Sequence, residues 1–251
     1  SGENKLTWVF IDLIIVIIGV YSAFLIQSAA EERTMEVEKE KIMSALKFEL
    51  EFFRIEMPGR GGFSEGQAKE WKSILDSGSY QDLTSWRFIE PQYNYQVIEH
   101  AINHQNSEII DFDLYDALQR LFVEIKRIEY AERLMTQVAM EFQTIPSNLP
   151  KGSAAYGEMW AGNYDSFRRM IQFMFDRSGN QVRLGAESQA ALELVNDRLS
   201  PERRKEIERE MIVNNLHRAK SEEQAVGLVK QLFPDFEEKE VREIYNTSQE
   251  K

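Results

Sequence analysis

Hydrophobic and polar positions divide this chain into two kinds of segment. From Trp8 to Ile26 nineteen consecutive residues, WVFIDLIIVIIGVYSAFLI, carry one charge, Asp12. A helix of that length rises about 28 Å at 1.5 Å per residue, enough to cross a hydrocarbon core of about 30 Å. A buried core helix shows a polar face, and this run has none. A cleaved signal peptide opens with a basic region, and Lys5 is the only basic residue before the run, although Ser28-Ala29-Ala30 supplies small residues. The pattern predicts a transmembrane anchor over residues 1–30.

Beyond it the pattern is amphipathic. Met35, Ile42, Leu46, Leu50 and Phe53 recur at helical spacing among Glu and Lys, and no Gly or Pro interrupts 27–57. The anchor is expected to continue as a stalk helix over 31–57, with a bend near Ser28 as the alternative. One unbroken helix from Thr7 to Glu56 would be about 75 Å long. Pro58-Gly59-Arg60-Gly61-Gly62 and Gly66 then read as a Gly-rich linker over 58–66. Helices follow near 67–76, stopped by Ser77-Gly78, and near 95–104.

The clearest amphipathic element lies over 113–143, with Asp113 as its expected N-cap. Leu114, Leu118, Leu121, Ile125, Ile128 and Met135 form a heptad seam that Ala139 and Phe142 continue and Glu132 alone interrupts. The seam fits an antiparallel bundle, with an intermolecular coiled coil as the competing reading. Ile145-Pro146 through Gly152 ends it, which suggests a helical bundle over 67–150 and a further helical region over 151–251. In the latter, 165–176 is rich in Phe, Met and Ile and reads as core or, less often, a ligand pocket. Past Gly185 four helices are expected, near 186–197, 201–218, 222–232 and 236–246. Ser200-Pro201, the capping box Ser221-x-x-Gln224 and a weaker one at Asp235-x-x-Glu238 mark the last three starts. No segment alternates as a strand, so the fold class expected is all-α.

Charge sharpens this division. The 251 residues carry 30 Lys and Arg against 42 Asp and Glu, a net charge of −12. Residues 1–30 hold only Glu3, Lys5 and Asp12 of these, so nearly all the excess acid lies in the part that follows. An acidic chain lacks the clustered cations that displace counterions from phosphates, which argues against a nucleic-acid partner. There is no cysteine, hence no disulfide, thiolate metal site or Cys nucleophile.

Asp12 is the most informative residue of the anchor, because a carboxylate at membrane depth costs a few kcal/mol unless hydrated, paired or neutralised. It lies about one turn inside the run. It either reaches the headgroup water, hydrogen-bonds a partner helix, or carries an ion. Gly19 and Ala23 form a small-xxx-small pair that lets two helices approach closely, which favours association. Phe10-Ile11-Asp12 before Leu13-Ile14-Ile15-Val16 also resembles the start of the span in B-type subunits of ion-driven inner-membrane motors. That resemblance implies a proton-carrying role for Asp12. The Pro that commonly precedes the motif is absent.

The run Ile17-Ile18-Gly19-Val20-Tyr21-Ser22-Ala23-Phe24-Leu25-Ile26-Gln27, followed by Glu31-Glu32-Arg33, resembles a large uncharacterised family of bacterial single-span membrane proteins. Members show an acidic residue, an apolar run, I-G-x-x-x-A-x-x-I-Q and E-E-R, then a long charged helix. Asp12 stands where their acidic residue does. Weaker similarity reaches about residue 140. The resemblance implies an inner-membrane protein with one span and carries no activity. It suggests a periplasmic soluble domain, whereas Arg33, Lys39, Lys41 and Lys47 after the span suggest a cytoplasmic one.

Candidate chemistry is sparse. His100, His104 and Glu108 share a face at i, i+4, i+8 and are weak metal candidates, since the helix is expected to end before Glu108. No motif for a nucleophile, a phosphate-binding loop or a calcium loop is present, so no catalytic residue and no cofactor are expected. The function expected is a membrane-anchored helical scaffold or interaction protein. Its partners would be membrane lipid and either a second copy or other membrane-protein subunits. The alternative is an ion-driven motor or transport subunit using Asp12.

Overall fold

The computed structural model describes residues 3–78, 93, 95–103, 109–216, 219 and 221–249, with the side chains of 3–26, 29, 215, 248 and 249 outside the described part. Among the described residues there are seven α-helices and no strand: α1 (Glu3–Asp76), α2 (Gln96–Asn103), α3 (Phe112–Glu141), α4 (Ala154–Asn196), α5 (Pro201–Leu216), α6 (Glu222–Leu232) and α7 (Glu238–Gln249). The fold is all-α. The chain forms two units, residues 1–43 and 44–251. In the first, local contacts support the helix: Gln27 Nε2 donates to Glu31 Oε1 at 2.9 Å and Thr34 Oγ1 to the Ala30 carbonyl at 2.8 Å. In the second, α3 packs along α4. The division expected near residue 150 therefore falls inside one unit.

Polar pairs record the direction of that packing. Arg120 Nε meets Glu187 at 3.1 Å, Glu124 meets Arg183 at 3.2 Å, and Glu132 meets Arg177 at 2.7 Å. As numbers rise along α3 they fall by similar steps along α4, so the two helices run antiparallel. Leu114, Leu118, Leu121, Ile125, Ile128 and Met135 are all buried within the chain. Each such side chain contributes about 1.5–3 kcal/mol by leaving water. Met135 and Val138 join Trp71 of α1 and Phe167 of α4 in an aromatic-rich cluster, where Trp71 and Phe167 stack edge to face at 6.0 Å.

Residues 58–66 are not a linker. They lie in the interior of α1, Pro58 included. A mid-helix proline forfeits a backbone hydrogen bond and crowds the carbonyl one turn earlier, and each helical glycine costs about 1 kcal/mol against alanine. Local propensity therefore disfavours this helix, and tertiary contact overrides it. A Cβ on Gly185 of α4 would lie 2.8 and 2.9 Å from Pro58 Cγ and Cδ, and one on Gly61 would lie 2.9 Å from Val182 Cγ2 and 3.1 Å from the Ser178 carbonyl. Proline and two glycines thus form a close approach of α1 and α4. The same contact explains a second correction. The helices expected at 165–176 and 186–197 are one, because Gly179 and Gly185 lie inside α4.

The ends of the helices follow their chemistry with two shifts. Gly78, at φ +65°, follows α1 where Ser77-Gly78 predicted a stop. The N-cap of α3 is Asp111 rather than Asp113: its side chain accepts from Leu114 N at 3.0 Å. Ser153, Ser200 and Ser221 accept from the third backbone N–H after them, each at 3.2 Å. Asp235 does not cap α7, which starts at Glu238. Residues 234–236 instead form a turn closed by Phe236 N donating to the Phe233 carbonyl at 3.2 Å, and this seats Phe236 in the interior.

The α1–α4 crossing yields a prediction that runs against helix propensity. Gly61→Ala and Gly185→Ala each raise intrinsic helicity, yet each is expected to lower unfolding free energy by about 1–3 kcal/mol through overpacking. Urea titration followed by far-ultraviolet circular dichroism measures it. Unchanged or increased stability in both variants would refute the close contact.

Candidate functional site

Three helices of the larger unit bring polar side chains together in its interior. Glu132, the residue that interrupts the α3 seam, is fully buried. Its Oε1 accepts from Arg177 Nε of α4 at 2.7 Å and from the Tyr93 hydroxyl at 2.7 Å. Arg177 Nη1 donates onward to Ser64 Oγ of α1 at 3.1 Å. Ser64 Oγ lies 2.9 Å from the Arg60 carbonyl and 3.1 Å from Gln181 Oε1, two acceptors sharing one hydroxyl proton. Burial, and then the adjacent Glu132 charge, push the Tyr93 hydroxyl up to about 12, so it stays a donor. The cluster joins α1, α3 and α4 through one carboxylate. Glu132 is wholly enclosed, and its charge fixes the three helices against one another.

A second buried network holds α1 against the helices that follow α4. Lys47 Nζ, with no exposed surface, donates to Glu208 Oε1 at 2.7 Å, Asn196 Oδ1 at 3.0 Å and Glu51 Oε1 at 3.4 Å. Three acceptors match the three protons of an ammonium group. Arg54 completes the network, with Nη2 2.6 Å from Glu51 Oε2 and 3.0 Å from the Leu232 carbonyl. Nearby in sequence, Glu49 is buried, and burial alone raises its carboxyl from the ordinary 4.5 to about 7.

Among the described residues an open groove of about 740 Å³ lies between the C-terminal end of α1 and the middle of α4. Leu75, Ile171 and Phe175 form its apolar floor, and Lys72, Asp76, Asp165 and Arg168 lie on its walls. Lys72 already pairs with Asp76 at 3.1 Å, and Arg169 on the same rim pairs with Glu141. Cations and anions are mixed there, which gives the groove no dominant sign.

The expected site residues fall in different places. Asp12, Gly19 and Ala23 lie on the backbone of α1 with side chains outside the described residues, so their association role is carried forward on sequence alone. His100 lies exposed near the end of α2, while His104 and Glu108 lie outside the described residues. Among the described residues no group of three His, Cys, Asp or Glu is placed to hold a metal ion. The aromatic-rich stretch of α4 divides: Phe167, Met170 and Met174 are core, while Ile171 and Phe175 reach the groove. The Glu132–Arg177 pair went unread in the sequence. Its only signal was Glu132 at a position where the heptad calls for an apolar residue, and nothing local names Arg177 as its partner.

Two outcomes are expected. Arg177→Met leaves an uncompensated carboxylate in the interior and should cost about 3–5 kcal/mol of stability, most of it restored by adding Glu132→Leu. Equal stability of the single and double variants in denaturant titration would contradict the pairing. For Glu49, a folded-state value above the unfolded one means the protonated form is favoured by folding. Its contribution is fully present below pH 4.5 and is lost as pH rises through about 7. Glu49→Gln should therefore match the parent at pH 4.5 and exceed it at pH 8 by on the order of 1–2 kcal/mol, allowing for solvent screening. A pH-independent difference would refute the assignment.

Comparison with protein-family models, with curated proteins and with solved structures gives no match to this chain.

Proposed function

We propose that this protein is a membrane-anchored, all-α interaction protein, held in a bacterial inner membrane by one N-terminal span and presenting an acidic helical unit to a protein partner. The observation that carries the proposal is the run Trp8–Ile26, nineteen residues with Asp12 as the single charge, on helical backbone continuous with α1. Among the described residues no helix is long and apolar enough to cross a membrane, and the side chains of this run lie outside them. The resemblance of Ile17–Gln27 and Glu31-Glu32-Arg33 to bacterial single-span proteins supports the same reading. So does the charge distribution, because an acidic unit is repelled by anionic lipid and by nucleic acid and has to find its partner among proteins.

The interior chemistry agrees with a scaffold. The buried ionic groups, Glu132 with Arg177 and Lys47 with Glu51 and Glu208, are spent on holding helices together. Within the span, Gly19 and Ala23 offer a close-packing face for a second helix, and Asp12 a hydrogen bond to it. The ion-carrying reading of Asp12 makes the opposite demand, a carboxylate that loads and releases a proton while the assembly stays intact.

The full chain expressed in bacteria should stay with the membrane through a carbonate wash and be released by detergent. Ile15→Lys with Ile18→Lys adds about 2.5–3.5 kcal/mol of insertion cost per residue and should move the protein to the wash supernatant. A parent chain that washes off would end the anchor reading. Asp12→Asn should remain membrane-bound and lower the mass of the detergent-extracted complex by light scattering. Unchanged mass with lost proton flux would favour the ion-carrying role instead.

A further inference from the structure

A second groove, of about 390 Å³, runs between α3 and α4. Its volume falls within the size range of small-molecule sites. At one end two guanidinium groups share a single carboxylate. Glu124 of α3 is buried; its Oε1 accepts from Arg127 Nη1 at 2.5 Å and its Oε2 from Arg183 Nε of α4 at 3.2 Å. Both carboxylate oxygens are thus engaged, while the two arginines stay more than half exposed along the groove, at 57% and 56%. Arg183 Nη2 also donates to Asn180 Oδ1, which orients the guanidinium without neutralising it. One positive charge is left over at this end, in a chain whose net charge is −12.

Toward the other end the lining turns apolar. Tyr130, 60% exposed, stands one turn beyond Arg127 on α3, and Leu134 one turn farther, with Phe173 and Phe175 contributed by α4. Leu134 follows Arg127 by seven residues, about 10 Å along the helix. Gly179, one turn before Arg183, keeps the floor open: a Cβ there would lie 3.6 Å from Arg183 Nη1 and meet nothing else within 4 Å. Asp176 lies at the apolar end, two turns from Arg183. Its Oδ1 accepts from Gln172 Nε2 at 2.9 Å, one turn farther still from the arginines. Its charge repels an anion from that end and so sets which way a ligand lies.

We propose that this groove binds a small apolar monocarboxylate, an aryl or acyl chain about 10 Å long. Its carboxylate lies between Arg127 and Arg183 and its chain runs along Tyr130, Leu134 and Phe173. Guanidinium forks match the paired oxygens of a carboxylate. One leftover positive charge balances one carboxylate, whereas a phosphate dianion would bring excess negative charge beside Glu124 and Asp176. Glu124 holds both guanidinium groups in place, so little side-chain freedom is lost on binding. The inference concerns α3 and α4 alone and does not depend on the membrane reading.

The test is calorimetric titration of the full chain in detergent with phenylbutyrate, after subtraction of a protein-free micelle titration. Binding should saturate with a Kd of about 1 mM or tighter, and uncharged phenylbutanol should bind at least tenfold more weakly. Replacing the arginines alone would leave Glu124 buried without a partner, so all three charges are removed together. Glu124→Gln with Arg127→Gln and Arg183→Gln should weaken phenylbutyrate at least tenfold and abolish the preference for the acid over the alcohol. Gly179→Leu fills the floor and removes no charge. It should abolish binding while the melting temperature holds or rises, because leucine is the better helix former. Circular dichroism checks the fold of each variant, and should one fail to fold, the other and the acid–alcohol comparison decide. Heat that does not saturate, equal affinity for acid and alcohol, or undiminished binding by either folded variant would each overturn the proposal. Carbonate extraction scores the anchor separately, so either reading can fail alone.

Discussion

Glu132 carries a negative charge into the middle of the bundle, and α1, α3 and α4 are arranged around its neutralisation. A buried carboxylate without a partner is expensive, so α4 must present Arg177 at that level and no other. Sliding α3 along α4 by one turn would part the two charges and leave both dehydrated. Apolar seams tolerate such slips, since leucine meets leucine at many registers. An ion pair does not. Ser64 extends the constraint to α1 through Arg177, and Tyr93 ties the approach to α2 to the same carboxylate. The pair adds little net stability over a well-packed apolar substitute. Its contribution is to select one alignment of three long helices.

Close approach supplies what the ion pair cannot. The hydrogen bond from Arg177 to Ser64 requires α1 and α4 to lie near one another, and Gly61 and Gly185 remove the side chains that would hold them apart. Pro58 fits the space above Gly185, so a residue that weakens the helix locally is supported by contact with its neighbour. The aromatic cluster of Trp71, Phe142 and Phe167 closes the same bundle toward the other end of α1. The Lys47 network closes it toward α5 and α6. Along α1 a charged network at Lys47–Arg54, the close approach at Pro58 and Gly61, the hydrogen bond at Ser64 and the aromatic contact at Trp71 each fix a different level.

This division of labour bears on function. Glu132 with Arg177, and Lys47 with Glu51 and Glu208, tie helices to one another, while the chain as a whole carries a net charge of −12. Apolar side chains also reach the surface, among them Phe48, Phe52 and Phe63 of α1. The proposed interaction role would draw on such exposed side chains.

Much of the architecture was legible in the residues. Helical class, the heptad seam of α3, the stop at Ser77-Gly78 and the serine caps all follow from periodicity and local hydrogen bonding, which act within one turn of the chain. The apolar run and the location of the excess acid are equally local facts. The status of 58–66 was not legible. Proline and glycine carry the same local penalty in a linker and at a helix crossing, and only the presence of Gly185 opposite Pro58 decides between them. The helix through Gly179 and Gly185 was hidden for the same reason. Glu132 was visible as an exception, yet Arg177 stands 45 residues away and becomes its partner only when α4 folds back antiparallel. Periodicity determines which face of a helix is apolar. Which residues meet across that face depends on register, and register is a property of helices already packed.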